Sequence, residues 1–277
     1  MRDALAWQIE LGADEAIGDS PVSRFDSAAS AARERGNTGA QPSPQAAPRA
    51  AAAAPRGREG DTRETGDARP GRVFAAAQLP HPAETADSID ALAALCEACD
   101  AGDLKAGARN FCFADGRPGA SLMVIGEAPG AEEDRLARPF VGRAGQLLDS
   151  MLAAIGRTRE AETPDRAVYI ANILPWRPAG NRTPTEAEMA LFLPFVERHI
   201  ALADPAVLLL LGNTPVRALL EDRRGITRTR GTWQAHGPTG IRAMPSFHPA
   251  FLLRTPSRKK EAWADLLAVS VALEEAR

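Results

Sequence analysis

Residues 205–212 read Pro-Ala-Val-Leu-Leu-Leu-Leu-Gly, an apolar run between two residues that favour turns. So short a run with apolar residues at every position is typical of a parallel strand covered on both faces. Similar short runs occur at residues 121–125, 168–172 and 241–244, and longer segments with helical spacing separate them. This alternation predicts an α/β fold, a three-layer αβα sandwich around a central, mostly parallel four-stranded sheet.

Local signals also predict where two of the helices begin. Thr183-Pro184-Thr185-Glu186 offers an N-cap, a proline at the first helical position and a glutamate that can close a capping box. We therefore expect a helix from this point to about Leu202. Ser257 is the expected N-cap of a last helix that ends near Glu275.

The N-terminal part of the chain has a different composition. Residues 27–72 contain no Val, Ile, Leu, Met, Phe, Trp, Tyr or Cys, so they cannot bury enough apolar surface to offset the entropy of ordering. We predict a disordered Ala/Pro/Arg-rich linker over residues 27–85 and a folded domain over 86–277. Residues 1–26 form a short helical segment in this prediction, because residues 4–11 have amphipathic spacing.

Overall composition limits the class of protein. The net charge of -3 argues against a uniformly basic DNA-coating protein but permits an enzyme with a local basic surface. No signal-peptide pattern and no apolar stretch of membrane-spanning length is present, so we expect no membrane partner. The three cysteines are too few for a secreted disulfide framework. These features predict an intracellular, cytoplasmic protein.

Polar segments follow three of the predicted strands. They are Gly126-Glu-Ala-Pro-Gly130, Asn172 with residues 177–182, and Ser246-Phe-His-Pro249. Ligands of open parallel sheets bind beyond the carboxyl ends of the strands, so we expect these segments to meet at one site. Each segment alone also fits a purely structural turn, and the glycine spacing matches neither a P-loop nor a dinucleotide-binding loop.

The same segments resemble the signatures of family 4, or thermophilic-type, uracil-DNA glycosylases. The first continues from Gly126 through a Glu-Asp pair to Pro139-Phe-Val-Gly-Arg-Ala-Gly-Gln-Leu-Leu148. The second includes Arg177-Pro-Ala-Gly-Asn-Arg-Thr-Pro184, and the third is His248-Pro-Ala-Phe-Leu-Leu-Arg254, with Ala and Phe where the family has Ser and Tyr. The resemblance covers about residues 104–267 and implies a DNA-repair enzyme with the αβα fold of that family.

Roles in base binding follow from the resemblance. Phe140 would stack on a uracil flipped out of the DNA, and the Asn172 amide would hydrogen-bond the O4 and N3 edge of the base. Backbone N–H groups around Gly126 and Ala128 would help to hold it. Ala137 stands where the family usually has glycine, in the loop that leads to Phe140.

Roles in catalysis are implied in the same way. His248 would donate a hydrogen bond to uracil O2 as negative charge develops there. Glu127 would position the attacking water or stabilise the cationic sugar, with Asn181 as a second water-orienting residue. A related branch that traps uracil covalently carries Gln where this chain has Ala128, so we favour turnover over trapping.

The expected DNA-binding residues are mostly basic, because phosphate contacts dominate protein–DNA affinity. Leu252, with its neighbours Phe251 and Leu253, is the candidate wedge that fills the space of the extruded base. The basic candidates are Arg177, Arg182, Arg254, Arg258, Lys259 and Lys260.

The resembled family typically holds a [4Fe–4S] cluster on four cysteines. Cys96 and Cys99 match the first pair, but Trp176 and Phe192 occupy the other two positions, and Cys112 lies too early in the chain. We therefore expect no cofactor and no metal. Zinc on Cys96 and Cys99 with other ligands is the remaining alternative.

The leading functional prediction is a monomeric uracil-DNA glycosylase whose partner is uracil-containing DNA. Residues 1–26 are a candidate contact for a repair or replication protein, and nucleoid association would follow. The alternatives are a relative that acts on further deaminated bases, such as hypoxanthine, and a non-catalytic module that binds uracil or damaged DNA.

Overall fold

The computed structural model describes residues 81–276 of the chain. Its six-stranded sheet has the order β1-β3-β2-β4-β6-β5. The strands are β1 (Ala114–Gly116), β2 (Leu122–Gly126), β3 (Val168–Asn172), β4 (Val207–Leu211), β5 (Gln234–Ala235) and β6 (Arg242–Ser246). The four central strands are parallel, whereas β1 and β5 pair antiparallel at the edges. The predicted α/β fold is confirmed, and the two edge strands are additions to the predicted four-stranded sheet.

Helices cover the sheet. They are α1 (Ile89–Ala98), α2 (Asp103–Ala106), α3 (Ala131–Leu136), α4 (Arg143–Ala153), α5 (Glu186–Ala203), α6 (Asn213–Leu220), α7 (Ile226–Thr229), α8 (Pro249–Arg254) and α9 (Lys259–Glu275). Alternate residues of the central strands enter two separate cores: Met123 and Ile125 pack with α1, α5 and α6, and Leu122 and Val124 pack with α4, α8 and α9. Burial on both faces explains the unbroken apolar runs.

Two helix starts differ from their prediction. The N-cap of α5 is Thr185, which forms a capping box with Glu188, so the predicted cap at Thr183 with Glu186 was two residues early. Glu188 closes the capping box because its carboxylate accepts hydrogen bonds from the Thr185 backbone N–H and from the Arg182 guanidinium. Ser257 lies in a turn of 3₁₀ helix that precedes α9, and Arg258 is the N-cap residue.

The folded part begins before residue 86. Pro82–Thr85 form a 3₁₀ turn, Ala83 is fully buried, and the His81 ring packs edge-on against Phe195. The last residues of the predicted linker therefore belong to the folded domain. The predicted helical segment 1–26 and the linker up to residue 80 lie outside the described residues. Within 81–276, no helix is both long and apolar enough to span a lipid bilayer.

Candidate active site

The carboxyl ends of the four parallel strands border a cavity of about 550 Å³. Residues from four distant parts of the chain reach it, because β2, β3, β4 and β6 point the same way. The sequence-predicted site residues that line the cavity are Glu127, Ala128, Phe140, Asn172, Asn181, Arg182, His248 and Arg254, together with Phe251 from the proposed wedge.

Phe140 and Asn172 line one wall of the cavity, and Gly126 packs against both side chains. A β-carbon on Gly126 would overlap both the Phe140 ring and the Asn172 amide oxygen, so only glycine lets these two side chains meet here. Asn172 is 6% exposed, and within residues 81–276 its Oδ1 atom has no hydrogen-bond partner. A buried acceptor without a partner is costly, and a ligand that offers an N–H group would satisfy it.

The Phe140 backbone is held in an unusual conformation. Its φ is 54°, in the left-handed region that bulky residues rarely adopt. The buried Arg159 guanidinium donates to the carbonyl oxygens of Pro139 at 2.9 Å and Phe140 at 2.7 Å. Asp115 and Asp149 pair with the same guanidinium at 2.6 and 2.8 Å, so it is fixed in place.

Glu133 supports the same loop from the other side. Its carboxylate accepts hydrogen bonds from the backbone N–H groups of Gly130 at 3.1 Å, and of Val141 and Gly142 at 2.9 Å each. It thereby joins the loop after β2 to the loop that carries Phe140. These hydrogen bonds are charge-assisted, because the acceptor is a carboxylate, and they stabilise the two loops at the cavity wall.

His248 is the N-cap of α8, and its Nδ1 atom accepts a hydrogen bond of 3.1 Å from the Ala250 backbone. Burial, assisted by the nearby Arg254 charge, lowers the pKa of His248 to about 4. The imidazole is therefore neutral at neutral pH, and because Nδ1 accepts, Nε2 carries the proton. Its ring lies 5.4 Å from the Phe140 ring, centroid to centroid.

Thr214 is a site residue that the sequence analysis missed. It lies near the start of α6, after β4, and its hydroxyl donates a short hydrogen bond to Oε2 of Glu127. The available signal was its position: the carboxyl end of β4 carries the polar pair Asn213-Thr214, as the ends of the other parallel strands carry polar groups.

Three of the four predicted DNA-binding arginines have side-chain partners within the protein. Arg177 donates to Oδ1 of Asn181 at 2.7 Å and fixes this residue at the cavity rim, where Asn181 has a φ of 56°. Arg182 forms a two-pronged ion pair with Glu188. Arg258 pairs with Glu261 at 2.6 Å. Lys259 lies outside the main cavity, beside a small crevice between α4 and α9.

The structure corrects the prediction that Leu252 is the wedge residue. Its side chain is fully buried in the core between α4, α8 and α9, so it cannot insert into DNA from this position. Its neighbours on α8 differ because helical spacing turns them to other faces. Leu253 is 38% exposed, and Phe251 lines the cavity.

The region of the two CxxC cysteines does not fit a four-cysteine cluster. Cys96, Trp176 and Phe192 are buried in one apolar core, and burial raises the pKa of the Cys96 and Cys99 thiols, which opposes thiolate formation. The Lys105 ammonium lies 5.3 Å from the Trp176 ring centroid and donates to the Glu97 carbonyl beside the pair. Among the described residues, no three His, Cys, Asp or Glu side chains are grouped to hold a metal ion.

Comparison with known proteins identifies the family of the chain. The family model of the uracil-DNA glycosylase superfamily matches residues 113–267. The type-4 uracil-DNA glycosylase of Thermotoga maritima is 37% identical over 154 residues, 54% of this chain and 75% of the relative. The type-4 enzymes of Sulfurisphaera tokodaii and Pyrobaculum aerophilum are 35% and 32% identical and are covered over 67% and 81% of their lengths. The chain therefore belongs to the uracil-DNA glycosylase superfamily, with type-4 enzymes among its relatives.

Proposed function

We propose that the protein hydrolyses the N-glycosidic bond between uracil and deoxyribose in DNA and leaves an abasic site. The observation that carries this proposal is the buried, unpartnered Oδ1 atom of Asn172, a residue that lines the cavity together with Phe140 and the neutral His248. Uracil supplies the missing donor through N3–H. The relatives named as type-4 uracil-DNA glycosylases support the same reaction.

In this proposal the Asn172 amide reads the base. Oδ1 accepts from uracil N3–H, and Nδ2 donates to uracil O4. Cytosine has an acceptor at N3 and a donor at position 4, so both contacts with the Asn172 amide would be unfavourable. The site would discriminate against cytosine because the buried polar atoms of Asn172 would then lack hydrogen-bond partners. Phe140 stacks on the flipped base.

Bond cleavage leaves the electron pair of the C1′–N1 bond on the uracil, whose O2 becomes negatively charged. The Nε2–H group of His248 donates to this oxygen, as a neutral donor that needs no prior protonation. Glu127 orients the water whose oxygen bonds to C1′ and accepts its proton, with Asn181 as a second water-orienting group. No covalent enzyme intermediate is required.

DNA contacts complete the proposal. Arg182 and Arg254 lie at the cavity and are the first candidates for phosphates near the flipped nucleotide. Arg177 acts through Asn181, while Arg258 and Lys259 would meet the backbone farther away. Leu253 replaces Leu252 as the wedge candidate on α8, because it is exposed.

We further propose that the protein works without an iron–sulfur cluster. Trp176 and Phe192 fill with apolar side chains the positions that ligate iron in the resembled family, and Lys105 places a cation beside Trp176. Measurement of iron in purified, active protein tests this proposal. A stoichiometric iron content, with activity that is lost when the iron is removed, would contradict it.

The reaction itself is tested on a labelled oligonucleotide with one uracil, incubated with the protein and then heated in alkali. We expect strand breakage at uracil, and loss of breakage in Asn172→Asp, whose carboxylate would repel uracil O4. A protein that retains the oligonucleotide without breakage would be a binding module instead. A parallel oligonucleotide with hypoxanthine tests the broader-specificity alternative.

A further inference from the structure

We infer that Thr214 is a positioning residue that orients the Glu127 carboxylate, so that Glu127 can direct the water that attacks the sugar. The inference rests on the proposed function, since it assigns Glu127 a role in the chemical step. Thr214 itself does not line the cavity, so it acts through Glu127 and does not contact the substrate.

The contact joins the ends of two neighbouring strands. Glu127 follows β2, Thr214 follows β4, and the Thr214 hydroxyl donates to Oε2 of Glu127. Thr214 is 5% exposed, which shields this hydrogen bond from competing water. Among the described residues, Thr214 provides the one side-chain hydrogen bond to the Glu127 carboxylate.

The geometry of the strand end fixes Thr214. Gly212 has a φ of 95°, a conformation that suits glycine, and it turns the chain from β4 directly into α6. A β-carbon at Gly212 would lie 3.4 Å from Cβ of His248, so the same turn also borders the other proposed catalytic residue. The threonine hydroxyl is therefore attached to rigid backbone on the inner side of the site.

Orientation matters because a carboxylate has two oxygens and a flexible stem. With Oε2 occupied by Thr214, Oε1 is left to accept from the attacking water. Without the hydroxyl, the carboxylate would sample other orientations, and the reaction would lose a preorganised group. The other charged or titratable groups that line the cavity are Glu133, Arg182, His248 and Arg254, and they are unchanged in the variants below.

The test compares Thr214→Val, which has the same shape without the hydroxyl, with Thr214→Ser, which keeps the hydroxyl. Two quantities are measured: the single-turnover excision rate constant at saturating protein, and the Kd for an oligonucleotide with a non-cleavable 2′-fluoro-deoxyuridine. We expect Thr214→Val to lower the rate constant by about tenfold to a hundredfold while the Kd stays within about threefold. Thr214→Ser should recover most of the rate.

A wild-type rate in Thr214→Val would overturn the inference and leave the proposed function intact. Equal losses of rate and affinity in both variants would also overturn it, because they indicate a structural role. If Thr214→Val fails to fold, Thr214→Ala takes its place with the same expectation. A wild-type protein that binds the oligonucleotide but does not excise uracil would overturn the proposed function itself, and the inference with it.

Discussion

The Arg159 guanidinium donates a 2.7 Å hydrogen bond to the carbonyl oxygen of Phe140, a residue whose backbone adopts a φ of 54°. A left-handed conformation costs a bulky residue on the order of 1–2 kcal/mol, so it persists because surrounding contacts impose it. Gly145 allows the close approach, since a β-carbon there would overlap the Phe140 carbonyl. The ring at the cavity wall therefore depends on the buried Arg159 guanidinium and on the two carboxylates that pair with it.

Replacement of Arg159 by Lys tests this dependence. Lysine cannot reach two carbonyls and two carboxylates at once, so we expect the free energy of unfolding to fall by about 2 kcal/mol and excision to weaken. Urea denaturation and single-turnover excision measure the two effects. Arg138→Gln is the control, because exposed Arg138 also pairs with Asp115, whereas the Phe140 carbonyl accepts from Arg159. Similar losses in both variants would contradict the prediction.

Ala137 is the C-cap residue of α3 and has a φ of 55° and a ψ of 29°. This left-handed conformation suits glycine better than alanine, and glycine is what the resemblance to family 4 enzymes implies at this position. We expect Ala137→Gly to raise the free energy of unfolding by about 0.5–1 kcal/mol. Ala154→Gly is the control: Ala154 caps α4 with a φ of -64°, so glycine should destabilise there by about the same amount. A destabilised Ala137→Gly variant would count against this explanation.

Asn172→Leu should separate stability from function. Leucine has nearly the same shape and removes the buried Oδ1 atom that lacks a partner, so unfolding free energy should stay equal or rise by about 1 kcal/mol. Excision should fall by at least about a hundredfold, because the base-reading amide is gone. In the control Asn110→Leu, loss of the 2.6 Å hydrogen bond to the Asp134 carbonyl should destabilise the protein and spare excision. Unchanged excision in Asn172→Leu would refute the proposed reading of uracil.

His199 predicts a pH dependence of stability. It is 3% exposed, its Nε2 lies 2.8 Å from the Tyr169 hydroxyl, and burial lowers its pKa from 6.5 to about 3. The unfolded chain takes up the proton first, so stability decreases as the pH falls from 6.5 towards 3. His248, with a pKa of about 4, acts in the same direction.

His199→Gln keeps a neutral hydrogen-bonding group without the titration. We expect its Tm to fall less between pH 6.5 and pH 4 than the Tm of the wild type, because the pKa of His199 is lowered from 6.5. Parallel curves for the two proteins across this interval would show that His199 does not titrate on unfolding.

The central strands could be predicted from sequence because each is an unbroken apolar run. Strand β3 was predicted at its observed bounds, and β4 was predicted one residue too long. The edge strands β1 and β5, with three and two residues, are too short for any periodicity. Thr214 escaped prediction because a threonine before a proline indicates a helix start, while its partner Glu127 lies 87 residues away.

The fold class, the family and the polar residues at the strand ends could be read from the amino-acid sequence, because apolar runs, turn residues and motifs are local properties of the chain. The burial of Leu252, the place of Arg254 at the cavity and the lack of a partner for the Asn172 oxygen among residues 81–276 became visible in the folded domain alone. Burial and hydrogen bonding of a side chain depend on residues that the sheet brings close together, and the order of residues along the chain does not specify these neighbours.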